Sequence, residues 1–286
     1  MSAYLDVAAG PYRAAVDPHG GALVRLLHHD RPLVVDREGP SEMRFRGDVL
    51  VPWPNRVSDG TWTFAGREHQ LTLNEPERHN ALHGLVLDTD WDVAEHDDTS
   101  VRLTCEVPPQ DGYPFRLAAS ITYAVDEHGL SVTLETTNTG ETPAPYGAGF
   151  HPYLLPGGQA DDVEVDLGAS RYVEVSPDRL LPVAELDVAG TPYDFRTPRP
   201  LGGVVLDTAF TELDVRDDGN HAAHLGDLRL WWEPVYGWLQ VFTAPDRSCF
   251  AVEPQTCGPD SLSTGDDLVV LAPGESHRGT WGLGVR

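Results

Sequence analysis

The chain alternates. Val101-Arg-Leu-Thr-Cys-Glu-Val107 and Leu130-Ser-Val-Thr-Leu-Glu-Thr136 place an apolar residue at every second position, and Arg116–Val125 does so between them. Shorter runs recur at Val163–Leu167, Tyr172–Val175, Leu228–Trp232, Trp238–Thr243 and Thr280–Val285. A period of two puts one set of side chains on a core and the other on solvent or a second layer, so these segments predict strands. Turn signals lie between them, among them Asp59-Gly60, Asp111-Gly112, Pro156-Gly157-Gly158 and Pro273-Gly274. No apolar stripe persists for three helical turns. The best short helix candidate, Glu42–Leu50, carries Gly47 and stops against Pro52. Many short strands with regular turns predict an all-β, large antiparallel sandwich with few short helices. No low-complexity linker divides the sequence, so residues 1–286 are expected to form one domain.

Charge narrows the partners. Acidic residues outnumber basic ones 45 to 20, for a formal net charge of −25. Such a surface repels phosphate backbones and anionic lipid, which argues against nucleic acid and membrane surfaces. All 20 basic residues are arginine. Without lysine, Schiff-base chemistry, a pyridoxal-phosphate anchor and a Walker loop are excluded in their usual forms. Cys105, Cys249 and Cys257 show neither a C-x-x-C pair nor a disulfide framework. The N-terminus carries no signal-peptide pattern and no run is long enough to span a bilayer, so a cytoplasmic protein is expected. His28-His29-Asp30 is a poor metal site, because neighbours on a strand face opposite ways.

Six segments place polar residues where strands and turns rarely need them. They are Pro52-Trp53-Pro54-Asn55-Arg56 (with Leu73-Asn74 after it), Ala81-Leu82-His83-Gly84, and Gly149-Phe150-His151-Pro152-Tyr153. The others are Leu206-Asp207-Thr208-Ala209-Phe210, Gly237-Trp238-Leu239-Gln240-Val241-Phe242 and Phe250-Ala251-Val252-Glu253-Pro254-Gln255. Singly, each has an ordinary structural explanation; Glu253, for instance, falls where strand alternation lets it face outward.

In this order and spacing the segments resemble the aldose 1-epimerase (galactose mutarotase) family, from about Pro52 to the closing Leu271–Trp281. Around the second histidine the common family form reads Asn-His-Ser-Tyr-Phe-Asn, whereas this chain has Gly-Phe-His-Pro-Tyr-Leu, a divergent bacterial variant. The resemblance implies a galactose mutarotase-like sandwich that interconverts the anomers of a free hexose, such as galactose or glucose. It needs no cofactor and no metal. It implies Glu253 as the general base at O1, His151 as the general acid at the ring oxygen and His83 as a second imidazole beside it. Asn55, Arg56, Asp207 and Gln240 would bind the sugar. Glu253 would be ionised and His151 protonated, each charge favouring the other. Trp53 or Trp238 is expected to stack on the pyranose. The partner is then a small sugar, and the chain a monomer or weak homodimer. Two other readings remain: a non-catalytic sugar-binding protein on the same fold, and an epimerase for a phosphorylated or sulfonated hexose served by Arg46, Arg67 or Arg78.

Overall fold

Residues 4–37 and 43–286 are described by the computed structural model. The predicted alternation is realised where it is cleanest. Along Leu117–Val125, Leu117, Ala119, Ile121, Tyr123 and Val125 are buried, and the residues between them are partly exposed. This strand sits in a nine-stranded sheet in the order Asp92–His96, Ser100–Val107, Leu117–Val125, Leu130–Asn138, Ser276–Val285, Leu228–Trp232, His221–Leu225, Glu164–Asp166 and Arg199–Pro200. Its neighbours pair antiparallel and in continuous register, with Ile121 opposite both Leu103 and Leu134.

A second large sheet follows the order Pro182–Asp187, Ala169–Val175, Asp207–Leu213, Trp238–Thr243, Phe250–Gln255, Gly149–Phe150 and Val49–Leu50. The short strand Tyr153–Leu154 also pairs with Phe250–Gln255. The two sheets contribute Leu103, Ile121 and Val132 on one side, and Phe210, Leu239, Val241 and Val252 on the other, to one hydrophobic cluster. A four-stranded sheet formed by Leu5–Ala9, Tyr12–Asp17, Ala22–His28 and Arg31–Pro32 feeds Val7, Tyr12, Val16 and Leu26 into the same cluster. The fold is therefore the all-β antiparallel sandwich that the alternation predicts. Among the described residues, helix is limited to the four-residue segment Ser261–Thr264 and two single 3₁₀ turns.

The short helix candidate Glu42–Leu50, weakened by Gly47 and Pro52, is not helical where it is described. Val49–Leu50 is a strand, and Gly47 takes a φ of +73° that helical residues do not adopt; Glu42 lies outside the described residues. A Cβ at Gly47 would stand 1.9 Å from the Leu23 carbonyl oxygen, so the chain passes there only without a side chain.

Candidate active site

Three adjacent strands of the second sheet build the floor. Asp207 lies opposite Phe242, and Gln240 opposite Glu253. With side chains alternating, Thr208, Leu239, Val241, Phe250 and Val252 point one way, and Asp207, Gln240, Phe242 and Glu253 the other. The first set is apolar apart from Thr208 and goes to the core. The second lines a cleft of about 380 Å³. Glu253 does face away from the core, as its position in the strand suggests, yet it is only 2% exposed because loops cover that face. Those loops bring Met43, Arg44 and Phe45, Asn55 and Arg56, Glu75, His83, and His151 to the same cleft.

All seven residues singled out from the sequence meet there: Asn55, Arg56, His83, His151, Asp207, Gln240 and Glu253. His151 Nε2 stands 3.2 Å from Glu253 Oε1. Main-chain bonds fix the histidine: its amide donates to the Asp48 carbonyl at 3.1 Å and its carbonyl accepts from the Gly47 amide at 2.9 Å. Tyr153, two residues on and so on the same side of the chain, stacks its ring on His151 with centroids 5.0 Å apart. The other Glu253 oxygen, Oε2, accepts from Gln255 Nε2 at 3.0 Å.

Burial sets the charge state of this pair. It pushes the Glu253 carboxyl well above the usual carboxylate range, and the Asp207 charge adds to the effect. It drives the His151 imidazole down to about 3, with the Arg56 cation pushing the same way. Both directions oppose the expectation of an ion pair with mutually favoured charges, since removing two charges from water outweighs their attraction. Burial thus disfavours the charged form of each partner.

His83 differs. Its Nδ1 accepts the Asn55 amide at 3.1 Å, so the neutral ring must carry its proton on Nε2. Burial first, then the neighbouring His151, Arg56 and Arg44, holds it well below the ordinary imidazole value. It is a fixed, neutral N–H donor. The loop that presents it is strained: His83 and Asn55 have φ of +64° and +56°, and Gly84 follows at +81°.

The amides of Asn55 and Gln240 are already engaged. Asn55 Nδ2 donates to Gln240 Oε1 at 3.2 Å, and Gln240 Nε2 donates to Asp207 Oδ1 at 2.8 Å. This relay aims the Asp207 carboxylate, whose affinity for a proton is raised by burial against the opposing pull of Arg56.

Neither expected tryptophan reaches the cleft. Trp53 is 3% exposed and packs near Tyr113 in the core, with ring centroids 6.3 Å apart. Trp238 shares a face with Gln240, but its Nε1 donates to Asp267 at 2.9 Å in a separate depression. The aromatic surface of the cleft comes instead from Phe45, Tyr153 and Phe242. Of these, Tyr153 was visible within the His-Pro-Tyr segment and Phe242 two residues after Gln240. Phe45 and Glu75 carried no strand-period signal. Of the arginines considered for an anionic sugar, Arg78 lines the cleft, and Arg46 and Arg67 do not. Among the described residues, no group of three His, Cys, Asp or Glu side chains is placed to hold a metal ion.

One cleft over the outer face of the second sheet thus gathers a buried carboxylate, two imidazoles and a guanidinium. The chain belongs to the aldose 1-epimerase family, whose model matches residues 6–283. It is 35% identical to the YihR protein of Escherichia coli K12, over 96% of this chain and 90% of that one. It is 30% identical to human galactose mutarotase over 54% of this chain and 46% of the human protein. In fold it is similar to the GalM/aldose epimerase homologue from C. elegans, with a TM-score of 0.87 at 20% identity over 100% and 99% of the two chains. Galactose 1-epimerase from Lactobacillus acidophilus NCFM gives a TM-score of 0.81 at 22% identity over 97% and 92%.

Proposed function

We propose that the protein is an aldose 1-epimerase acting on the anomers of a free hexose such as galactose or glucose. The observation that carries this reading is the contact between Glu253 and His151 inside the cleft. The two oxygens of a hemiacetal, O1 and the ring oxygen, sit on one carbon. A base and an acid that serve both must therefore stand within the span of one sugar ring, and these two side chains are that near.

The reaction balances with one proton on the pair throughout. In the reactive state His151 carries the proton and Glu253 is the carboxylate. Glu253 takes the O1 proton while His151 gives its own to the ring oxygen. The C1–O5 bond breaks and the open aldehyde forms. Rotation about C1–C2 presents the other carbonyl face; the O5 hydroxyl adds to C1, returning its proton to His151 as Glu253 reprotonates O1. Each well-placed acid or base contributes about 10²–10⁴-fold. The His83 Nε2 proton donates toward the ring oxygen, Asp207 accepts from sugar hydroxyls and Arg56 donates to them. The aromatic rings of Phe45 and Phe242 offer an apolar face to the pyranose.

The test is anomer exchange by NMR or polarimetry on fresh α-glucose and α-galactose, extended to hexoses bearing phosphate or sulfonate. Acceleration that disappears in Glu253→Gln supports the proposal. Saturable sugar binding with no acceleration would instead identify a binding protein. Preference for a charged hexose would reassign the substrate without changing the chemistry.

A further inference from the structure

Arg56 lines the cleft, and its charge acts on both members of the acid–base pair as well as on His83 and Asp207. An arginine side chain has many rotamers, and such a cation is useful only if it is aimed. Its fork is taken up by one carboxylate: Nε donates to Glu75 Oε2 at 2.9 Å and Nη2 to Glu75 Oε1 at 3.0 Å. The remaining nitrogen, Nη1, makes no hydrogen bond among the described residues. Lysine, a point charge, could not be held by two nitrogens while presenting a third.

Glu75 is itself fixed on every side. It is 3% exposed; Asn80 Nδ2 donates to Oε2 at 2.9 Å and Arg78 Nη1 reaches Oε1 at 3.3 Å. Its amide and that of Asn80 exchange hydrogen bonds with each other's carbonyls, at 3.1 and 3.2 Å. Arg179, far along the chain, closes the loop from outside by donating to the carbonyls of Arg78 and His79 at 3.0 and 2.9 Å. Burial alone would raise the affinity of Glu75 for a proton, but the bonds from Arg56 and Asn80 hold its carboxyl below the ordinary range.

We propose that Glu75, held by Asn80, is a positioning residue for the epimerase reaction: it locks two nitrogens of Arg56 so that Nη1 faces the sugar. The inference deepens the activity proposed above and rests on it. Glu75 never touches the reacting atoms. A Gln at 75 keeps the shape but turns one acceptor into a donor facing the Arg56 donors, so the fork must let go. Misplacing a group by about 1 Å can cost on the order of 100-fold in rate.

The test is a double-mutant cycle in kcat/KM for anomer exchange. Glu75→Gln alone is expected to lose on the order of 100-fold, with an unchanged melting curve or one shifted by a few degrees. In an Arg56→Met background the same change is expected to cost nothing further, because its effect runs through the guanidinium. A second readout needs no variant of Glu75: in the uniformly ¹⁵N-labelled wild-type protein, the Arg56 Nε–H signal, assigned by its loss in Arg56→Met, should exchange with water far more slowly than those of exposed arginines. Full activity in Glu75→Gln, equal losses in both backgrounds, or fast exchange at Arg56 Nε–H would each overturn the proposal. If Glu75→Gln does not fold, the exchange rate decides. A wild-type protein inactive on every sugar would count against the activity, while the exchange rate still reports on the clamp.

Discussion

Asn55 and His83 are bonded twice: the Asn55 amide donates to His83 Nδ1, and the His83 amide donates to the Asn55 carbonyl, both at 3.1 Å. The first bond dictates the tautomer and the second ties the two left-handed residues into one unit. Protonation of the ring would put two hydrogens against each other across the first bond. His83 is therefore expected to stay neutral with its proton on Nε2 from pH 5 to 8, which ¹⁵N imidazole shifts will show. A doubly protonated ring at pH 6 would contradict the assignment. His83→Phe, which deletes both the Nε2 donor and the acceptor of the Asn55 amide, is expected to lower kcat by at least about 10²-fold, the usual cost of losing one donor aimed at developing charge.

The Glu253–His151 pair makes a prediction about stability and pH. Folded, it holds one proton from about pH 3 upward until the raised carboxyl ionises. Unfolded, with ordinary values of 4.5 and 6.5, it holds two protons below the first, one between them and none above the second. The pair thus adds no pH slope between 4.5 and 6.5. It destabilises the fold below that window, where only the unfolded chain takes the second proton, and above it, where only the unfolded chain releases the last one. Glu253→Gln removes the alkaline limb. The melting temperature of this variant should gain on the wild type steadily as pH rises above 6.5; a gap that stays constant with pH would show the carboxyl to be ionised at ordinary cost.

Gly84 is irreplaceable on geometric grounds. At its φ of +81°, a Cβ would lie 2.2 Å from the Val51 carbonyl oxygen, which also accepts the Leu85 amide at 2.7 Å. Gly84→Ala is expected to cost more than about 2 kcal/mol, by backbone strain and displacement of that bond. It should also lower activity, since His83 is its neighbour. Thermal melting and kcat/KM check both parts.

Phe242 and Trp238 share a strand face but not a function. Phe242→Ala should raise KM on the order of 10-fold, corresponding to loss of about 1–2 kcal/mol of apolar contact with the sugar. Trp238→Phe, which deletes the bond to Asp267 outside the cleft, should lower the melting temperature and leave kcat/KM unchanged. The reverse pattern would place the sugar over Trp238.

The strands of the sandwich were legible in the sequence because alternation is a local property, whereas the seven cleft residues were named only through the ordered resemblance of six short segments to one family. Val101–Val107 and Leu130–Thr136 are recognisable wherever they pack, whereas Glu253 by itself reads as an ordinary outward-facing strand residue. Tertiary structure alone decided which face of that strand is roofed by loops, and so that Glu253 and His151 are buried together and that burial works against the charge on each. It also decided that Phe45, Tyr153 and Phe242, not the tryptophans, line the cleft, and that Glu75 grips Arg56. Desolvation and hydrogen-bond geometry depend on what the folded chain lays over a residue from far away along the sequence, and no local pattern carries that information.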